Sequence, residues 1–207
     1  ITIFDLGKTM RQLAAACDFL TETAANGGTI LFVGAKRQAQ ECVRTTAERL
    51  NMPFMCERWL GGTLTNQTVV LKRVAYLKKL REQDANGSMD ALPKKEAAGL
   101  RREMGKLESA LGGIVNMHKL PAALVVIDVD REHIAVQEAS KLGIPVVALV
   151  DSCCNPDLID YVIPGNDDAL RSIKVIVDAL ATAIEAGLAV ANKKRSDKDE
   201  ALSEAAV

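Results

Sequence analysis

The fold is indicated by one stretch of the chain, Thr29-Ile30-Leu31-Phe32-Val33-Gly34-Ala35-Lys36-Arg37. Its first five residues are apolar or β-branched, which is typical of a strand buried on both faces of a parallel sheet. A glycine follows, and a helical pattern then runs from Lys36 to Leu50. Because a strand that leads directly into a helix is the repeating unit of α/β proteins, this stretch predicts an α/β fold.

Similar apolar runs rich in β-branched residues recur along the chain. They predict four further strands, at Pro53–Cys56, Ala123–Val129, Val146–Val150 and Tyr161–Ile163. Amphipathic helical patterns lie between them, and Gly143 is a typical stop for a helix over Glu132–Leu142. Strands that alternate with helices predict a three-layer sandwich around a five-stranded parallel sheet. We assign this α/β domain to residues 1–66 and 117–190.

The interval between Asn66 and Met117 is too long for a single crossover between strands. Two sets of apolar residues recur within it at alternating spacings of 4 and 3, namely Val70, Val74 and Leu77, and then Leu100, Met104, Leu107 and Leu111. This spacing is typical of a coiled-coil seam. Residues 67–116 are therefore predicted to form an antiparallel coiled-coil helical hairpin inserted into the α/β domain.

The predicted hairpin also concentrates positive charge. Between Lys72 and Glu108 there are ten basic and six acidic residues, so this segment has a net charge of +4 while the rest of the chain has −5. Two interpretations stay open at this point. The hairpin is either an arm that binds a partner or a helix pair with an ordinary solvated charged face.

Beyond Ala191 the chain becomes polar and highly charged. The segment Asn192–Glu200 shows no apolar periodicity. Such a composition buries too little apolar surface to offset the entropy of ordering the chain. It predicts a disordered charged tail over residues 191–207.

The overall charge of the chain is close to zero. Lys+Arg 26 against Asp+Glu 27 gives −1, which argues against a protein that wraps nucleic acid through bulk positive charge, so any RNA contact must be local. The five cysteines show no metal-binding spacing and indicate reduced thiols of a cytosolic protein. Neither a signal peptide nor a run of roughly 18 apolar residues is present. We expect a cytoplasmic protein without a membrane contact.

The single tryptophan lies in the short segment Arg58-Trp59-Leu60-Gly61-Gly62-Thr63-Leu64-Thr65-Asn66, between the second predicted strand and the hairpin. A pair of glycines lets the backbone adopt positive φ and approach another surface closely. Arginine and tryptophan offer a forked donor and a flat stacking face. The segment is therefore a candidate for binding phosphate, a base or a partner protein. The alternative interpretation is a glycine turn beside a buried tryptophan.

Acidic residues follow two neighbouring predicted strands. Asp151 ends the fourth strand, and Asn166, Asp167 and Asp168 follow the fifth. Because the carboxyl ends of parallel strands share one edge of the sheet, these carboxylates are expected to converge. Such an oxygen-rich cluster suits a divalent cation, Mg²⁺ by ligand hardness or Zn²⁺ if a histidine or a partner residue joins. The alternative is that Asn166 or Asp168 caps the last helix.

Several unusual motifs occur in a fixed order along the chain. They are Ile30–Ala39, Arg58–Asn66, Lys94–Ala97, Leu111–Ile114, Ile127–Asp128, His133–Ala135, Gly143–Val146, Asn155–Asp157 and Ile163–Ala169. Together they resemble the bacterial type of the ribosomal protein S2 family, the second protein of the small ribosomal subunit. Members of that family carry a further amino-terminal segment with a Gly-Val-His-Phe-Gly-His stretch. We expect this chain to open after that segment.

The resemblance implies a flavodoxin-like sheet and a structural role in translation, without catalysis and without a required cofactor. The expected partners are small-subunit ribosomal RNA between the head and the body, and neighbouring ribosomal proteins including the messenger-binding protein S1. No membrane or small-molecule substrate is implied. The expected location is the cytoplasmic ribosome.

In such a protein a few local contacts position the RNA backbone without reading its sequence. The candidate contact residues are Lys36, Arg37, Arg58, Trp59, Gly61, Gly62, Thr63, Asn66, Lys72 and Arg73. For Lys36 and Arg37 the alternative is an ordinary charged first turn of a helix. For the possible cation, the candidate ligands are Asp151, Asp167 and Asp168.

A competing hypothesis is a flavodoxin-like enzyme that acts on a phosphorylated small molecule or uses a metal. Its acidic groups would be Asp128, Asp130, Asp151 and Asp168, at the carboxyl edge of the sheet. The first strand and helix lack both of the common glycine-rich nucleotide-binding patterns. An enzyme of this kind would bind a small ligand saturably as an isolated protein, whereas a ribosomal protein would sediment with small subunits.

Overall fold

The computed structural model describes the backbone of residues 3–204 and the side chains of residues 3–196. Within these residues the strands are β1 (Ile30–Val33), β2 (Phe54–Met55), β3 (Ala123–Ile127), β4 (Val146–Val150) and β5 (Tyr161–Pro164). The α-helices are α1 (Leu6–Ala25), α2 (Arg37–Arg49), α3 (Gln67–Ala85), α4 (Lys94–Leu111), α5 (His133–Leu142) and α6 (Leu170–Glu204). A 3₁₀ turn at Gly112–Ile114 follows α4.

The five strands form one sheet in the order β2-β1-β3-β4-β5, and every pairing is parallel. This confirms the predicted five-stranded α/β fold, and the order is that of flavodoxin-like proteins. After β1 the chain forms β2 on one side of β1, and it then returns to form β3 on the other side of β1. The carboxyl ends of β1 and β3 therefore flank the point where the strand order reverses, which is where such sheets usually bind ligands.

Helices cover both faces of the sheet and divide the core in two. Along β1, Ile30 and Phe32 pack with α1, α2 and α6, whereas Leu31 and Val33 pack on the opposite face with α5 and the base of the hairpin. All four residues are buried. Burial on both faces explains why the strands appear in the sequence as unbroken apolar runs.

Helices α1 and α6 lie side by side on one face. The Thr21 hydroxyl donates a hydrogen bond to the Ala183 carbonyl, with an oxygen–oxygen distance of 3.0 Å. Near this contact, a Cβ atom on Gly187 would collide with the Thr21 carbonyl oxygen and the Ala24 side chain. A glycine is required there because the two helix backbones approach so closely.

Helices α3 and α4 form a helical hairpin between β2 and β3. Val74 and Leu77 of α3 are buried and belong to the same core as Val33 of the sheet, so the base of the hairpin is continuous with the α/β domain. Near the tip, the Arg101 guanidinium lies 2.8 Å from an Asp84 carboxylate oxygen. The hairpin is thus present, and the coiled-coil packing of its two helices stays a prediction.

Both outer strands of the sheet are covered. On β2, Gly113 lies so close to the Phe54 carbonyl that a Cβ atom on Gly113 would collide with it. On β5, the Thr9 hydroxyl of α1 donates to the Pro164 carbonyl at 2.7 Å. Each edge of the sheet therefore has a neighbouring segment of the chain against it.

Helix α6 extends further than the sequence indicates. It contains 35 residues, so residues 191–204 are helical where the composition indicates disorder, and residues 205–207 lie outside the described part. The reason is that this segment contains neither glycine nor proline, and extending an existing helix avoids the cost of nucleation. Among the described residues, no helix is both long and apolar enough to cross a membrane.

Candidate functional site

The most extensively hydrogen-bonded side chain of the described protein is Glu138 in α5. Its Oε1 accepts hydrogen bonds from Trp59 Nε1 at 3.0 Å and from the Gly62 amide at 2.7 Å. Its Oε2 accepts bonds from the Leu64 and Thr65 amides and from the Thr65 hydroxyl, each at 3.0 Å. All five donors belong to Arg58–Asn66, which we call the tryptophan loop. One buried carboxylate thus holds the whole loop against α5.

The local sequence makes this arrangement possible. Gly62 has φ of 89°, a conformation that L-residues with a side chain rarely adopt, and its amide points at the carboxylate. Burial raises the pKa of Glu138, but the hydrogen bonds from Thr65, Trp59, Gly62 and Leu64 outweigh burial and lower the pKa overall. The carboxylate is therefore ionised at neutral pH.

The structure separates the candidate contact residues of the tryptophan loop into two groups. Trp59 is only 6% exposed and Thr63 is completely buried, so neither offers a surface to RNA. The stacking role considered for Trp59 is thus replaced by the alternative, a glycine turn beside a buried tryptophan. Arg58, Gly61 and Asn66 are exposed. Gly62 is half-buried, and its amide is already bonded to Glu138.

A second cluster lies at the carboxyl edge of the sheet and is centred on Lys36. The Lys36 ammonium lies 2.6 Å from Asp167, 2.6 Å from Asp168 and 3.5 Å from Asp128. Asp151 joins the cluster because its Oδ2 accepts a hydrogen bond from the Asp167 amide at 3.2 Å. Lys36 was a candidate for binding RNA phosphate. The structure instead places it among carboxylates of its own chain.

The pKa values of the charged groups in this cluster are shifted in different directions. Burial disfavours the charged form of Lys36, but hydrogen bonds to Asp167 and Asp168 and the charge of Asp128 raise the pKa of the ammonium overall. Burial raises the pKa of Asp167, and the contact with Lys36 offsets this only in part. At Asp151, burial also raises the pKa, but hydrogen bonds from two backbone amides lower it overall.

The expected convergence of Asp151, Asp167 and Asp168 is present, since one carboxylate oxygen of each lies within 4.8 Å of the others. Asp167 and Asp168 both pair with the Lys36 ammonium. In addition, the Asn166 side chain accepts hydrogen bonds from the Asp168 and Ala169 amides, which forms a turn ahead of α6, and the capping of α6 by Asn166 or Asp168 stays a prediction.

The point where the strand order reverses is occupied by side chains of the protein itself. Glu132, which is 2% exposed, accepts a hydrogen bond from the Ala35 amide at 3.0 Å. The amide that a nucleotide-binding protein would offer to a phosphate is therefore bonded to a carboxylate. Two of the four acidic groups of the competing enzyme hypothesis, Asp128 and Asp168, are paired with Lys36.

The remaining candidate contact residues are on the surface. Arg37 is exposed in the first turn of α2, and Lys72 and Arg73 are exposed on α3. Between Gln67 and Arg81, helix α3 contains five basic residues and no acidic one. One of these five residues, Arg81, forms an ion pair with Glu108. In the described part of the chain, Lys72 and Arg73 form no ion pair.

Sequence reasoning missed Glu138 and Glu132, two buried glutamates that accept hydrogen bonds from loop amides. A signal for Glu138 is nevertheless present. It lies beside Ala135 and Ala139, which are buried on the apolar face of α5. A glutamate at such a position needs hydrogen-bond donors from elsewhere in the fold.

Comparisons with known proteins agree with this architecture. Residues 1–187 match the family described as Ribosomal protein S2. The chain is similar to the small ribosomal subunit protein uS2 of Corynebacterium kroppenstedtii, with 49% identity over 207 residues, which cover 100% of this chain and 71% of the relative. The protein of the same name from Mycobacterium ulcerans is 50% identical over 188 residues, covering 91% and 68% respectively. That of Rhodococcus opacus is 48% identical over 199 residues, covering 96% and 69%.

Proposed function

The chain belongs to the ribosomal protein S2 family, and from this premise we propose that it binds small-subunit ribosomal RNA between the head and the body of the subunit. It is a structural constituent of the small subunit in the cytoplasmic ribosome and is not an enzyme. The proposed contacts are the candidate residues that the protein exposes, namely Arg37, Arg58, Gly61, Asn66, Lys72 and Arg73.

The observation that carries this proposal is the position of Arg58. Its side chain is exposed, and in the described part of the chain it forms no ion pair, while the adjacent Trp59 is fixed in the core. A guanidinium on a rigid loop can form two parallel hydrogen bonds with a phosphate at little entropic cost. Arg58 is therefore the group that we expect to contribute most to binding.

Helix α3 supplies a second, more diffuse contribution. Lys72 and Arg73 stand on a stretch of helix that contains no acidic residue before Glu82. Their charges are available to RNA phosphates, which they would position without reading base sequence. This local concentration of charge reconciles RNA binding with a net charge of −1.

No cofactor is required for this role. The sequence indicated Mg²⁺ or Zn²⁺ as the counter-charge for Asp151, Asp167 and Asp168, but we propose that the Lys36 ammonium fulfils this function. Its distance of 2.6 Å to two of the carboxylates supports this assignment. A divalent ion at the same carboxylates would have to displace Lys36, so a chelator should lower the thermal midpoint if an ion is bound and leave it unchanged if Lys36 supplies the charge.

A further part of the proposal concerns a protein partner. On the strength of the family alone, we propose that the protein helps to recruit the messenger-binding ribosomal protein S1. Small subunits reconstituted with and without this chain are expected to differ in the amount of S1 that sediments with them. Equal amounts in the two preparations would contradict this part of the proposal.

The RNA-binding proposal is tested by sedimentation with small subunits from which the endogenous S2 protein has been removed. We expect the chain to sediment with these subunits at moderate salt, and to be released as the salt concentration rises, because phosphate contacts release counterions. Intact subunits, whose site is already filled, are the control. Equal sedimentation with depleted and intact subunits would contradict a specific site.

A further inference from the structure

We propose that Glu138 is a positioning residue for subunit binding: its carboxylate holds the tryptophan loop in the conformation that presents Arg58, Gly61 and Asn66 outward. Glu138 would act without touching the RNA or a partner protein, through the loop residues bonded to it. This inference rests on the proposed function, because it assumes that the outward residues bind the small subunit.

The first support is the alternation of bonded and outward residues along the loop. Trp59, Gly62 and Thr65 each donate to Glu138. Each is also the direct chain neighbour of an exposed candidate residue: Arg58 precedes Trp59, Gly61 precedes Gly62, and Asn66 follows Thr65. A displacement of any bonded residue would therefore move an outward residue with it.

The second support is that the loop has few other polar anchors. Three further hydrogen bonds remain inside the loop: the Thr63 amide and the Thr63 hydroxyl both donate to the Leu60 carbonyl, and the Asn66 amide donates to the Gly62 carbonyl. In the described part of the chain, the bonds that join the loop to another layer of the fold all end on Glu138. Without them, the loop would be held by apolar packing and, at its end, by the hydrogen bonds that the Val69 and Val70 amides donate to the Asn66 carbonyl.

The third support is the chemistry of the acceptor. Five donors face Glu138, four of them N–H groups that can only donate, and a carboxylate is the side chain that offers two oxygens without a donor of its own. Glutamine has nearly the same size, but it would turn an amide NH₂ toward the donors on one side. Glu138→Gln therefore leaves two of the four N–H groups without an acceptor while hardly changing the packing.

The protein supplies its own reporter for the test. Trp59 is the single tryptophan of the chain, it is buried, and it donates directly to Glu138. Its fluorescence therefore reports the state of the loop. The matched control is Glu132→Gln, which changes another buried glutamate at the start of the same helix, one that accepts a bond from Ala35 and none from the loop.

The experiment compares the wild type, Glu138→Gln, Glu132→Gln and Arg58→Ala for Trp59 emission, acrylamide quenching, thermal midpoint and affinity for depleted small subunits. For Glu138→Gln we expect red-shifted emission, stronger quenching and a loss of affinity of about tenfold, the factor that corresponds to about 1.4 kcal/mol. Glu132→Gln is expected to keep wild-type emission and affinity. If Glu138→Gln does not fold, Thr65→Val, which removes one of the five donors, is expected to show a smaller shift in the same direction.

Two results would overturn the inference. The first is a Glu138→Gln variant with the emission and the affinity of the wild type. The second is an equal loss of affinity in Glu138→Gln and Glu132→Gln, since this would show a general loss of stability. Arg58→Ala distinguishes the inference from the proposed function. Unchanged affinity in Arg58→Ala contradicts the proposed contact, whereas weaker affinity in Arg58→Ala with unchanged affinity in Glu138→Gln contradicts the positioning role alone.

Discussion

Lys36 and Asp167 are 131 residues apart in the chain, yet the Lys36 ammonium lies 2.6 Å from the Asp167 carboxylate. Lys36 follows β1 and Asp167 follows β5, with β3 and β4 between them in the sheet. The side chain of Lys36 thus extends across the carboxyl edge and pairs with carboxylates from two separate loops, Asp128 after β3 and Asp167 and Asp168 after β5. This ion pair joins the start of α2 to the turn before α6.

Replacement of Lys36 by methionine is expected to destabilise the fold, because it leaves several carboxylates close together without a counter-charge. The side chain of Lys36 is 14% exposed and that of Asp167 is 5% exposed. We expect the free energy of unfolding to fall by about 2 kcal/mol, between the ranges for exposed and buried ion pairs. Urea denaturation measures this change, and Lys8→Met on the exposed surface of α1 is the control.

The same cluster is expected to be insensitive to chelators in the wild type. We expect the thermal midpoints of the wild type and of Asp167→Asn to stay unchanged when EDTA, Mg²⁺ or Zn²⁺ is added, because Lys36 already supplies the positive charge. Lys36→Met, in contrast, should gain stability from Mg²⁺, since its carboxylates are then free. A wild-type midpoint that falls with EDTA and recovers with Mg²⁺ or Zn²⁺ would show that an ion is bound.

Arg58→Ala is expected to weaken binding to depleted small subunits and to leave the thermal midpoint unchanged. The loss of a charge-assisted phosphate contact should cost about 1 to 3 kcal/mol of binding free energy. Arg11→Ala, which removes an exposed arginine of α1, serves as the control. A lower thermal midpoint for Arg58→Ala would assign the residue to the structure of the loop.

Replacement of residues 72–108 by a short flexible linker is expected to leave a folded α/β domain that assembles poorly. Val70 and Leu111 remain to cover the core, but Val74 and Leu77 are lost, so the thermal midpoint should fall. Near-ultraviolet circular dichroism, to which Trp59 contributes, is expected to persist. Loss of that signal with retained helical dichroism would indicate a molten core, and thus a hairpin that the domain needs in order to pack.

Acid is expected to release the tryptophan loop only below the ordinary pKa of a glutamate, 4.5, because the pKa of Glu138 is lowered in the folded protein. A carboxylate with a lowered pKa stabilises the fold above its ordinary value, and this stabilisation disappears as the pH falls through the folded value. Trp59 emission should therefore stay constant from pH 8 to 5 and shift to the red in stronger acid. Glu138→Gln should show the red-shifted emission at every pH.

The arrangement of strands and helices could be predicted because it depends on local pattern. Strands buried on both faces appear as unbroken apolar runs, and the left-handed conformation of Gly143, with φ of 67°, ends α5 where a glycine stop is expected. The extent of α6 could not be predicted from the charge of its last residues. The composition of a segment indicates how little apolar surface it can bury. It does not show that the segment continues a helix that has already formed, which avoids the cost of nucleating a new one.

The partners within the site could not be predicted, because they depend on distant parts of the chain. Trp59 and Glu138 are 79 residues apart in the chain. The sequence shows a tryptophan near glycines and a glutamate on an apolar helix face. It does not show that these two side chains contact each other. The position of Lys36 illustrates the same limit. The order of the strands places it beside acidic loops, and that order was known only from the fold.

The segments that lie against the two outer strands also matter for the protein before it joins a small subunit. A ribosomal protein spends time in solution, where an open edge strand would pair with the edge of another copy and start aggregation. Here the Gly113 backbone sits against β2, and α1 together with Pro164 closes β5, since proline has no amide hydrogen to offer. Any larger residue at position 113 would collide with the Phe54 carbonyl, so its turn could not lie against β2 as closely. The small size of Gly113 thereby leaves less of the β2 backbone open to pairing with another copy.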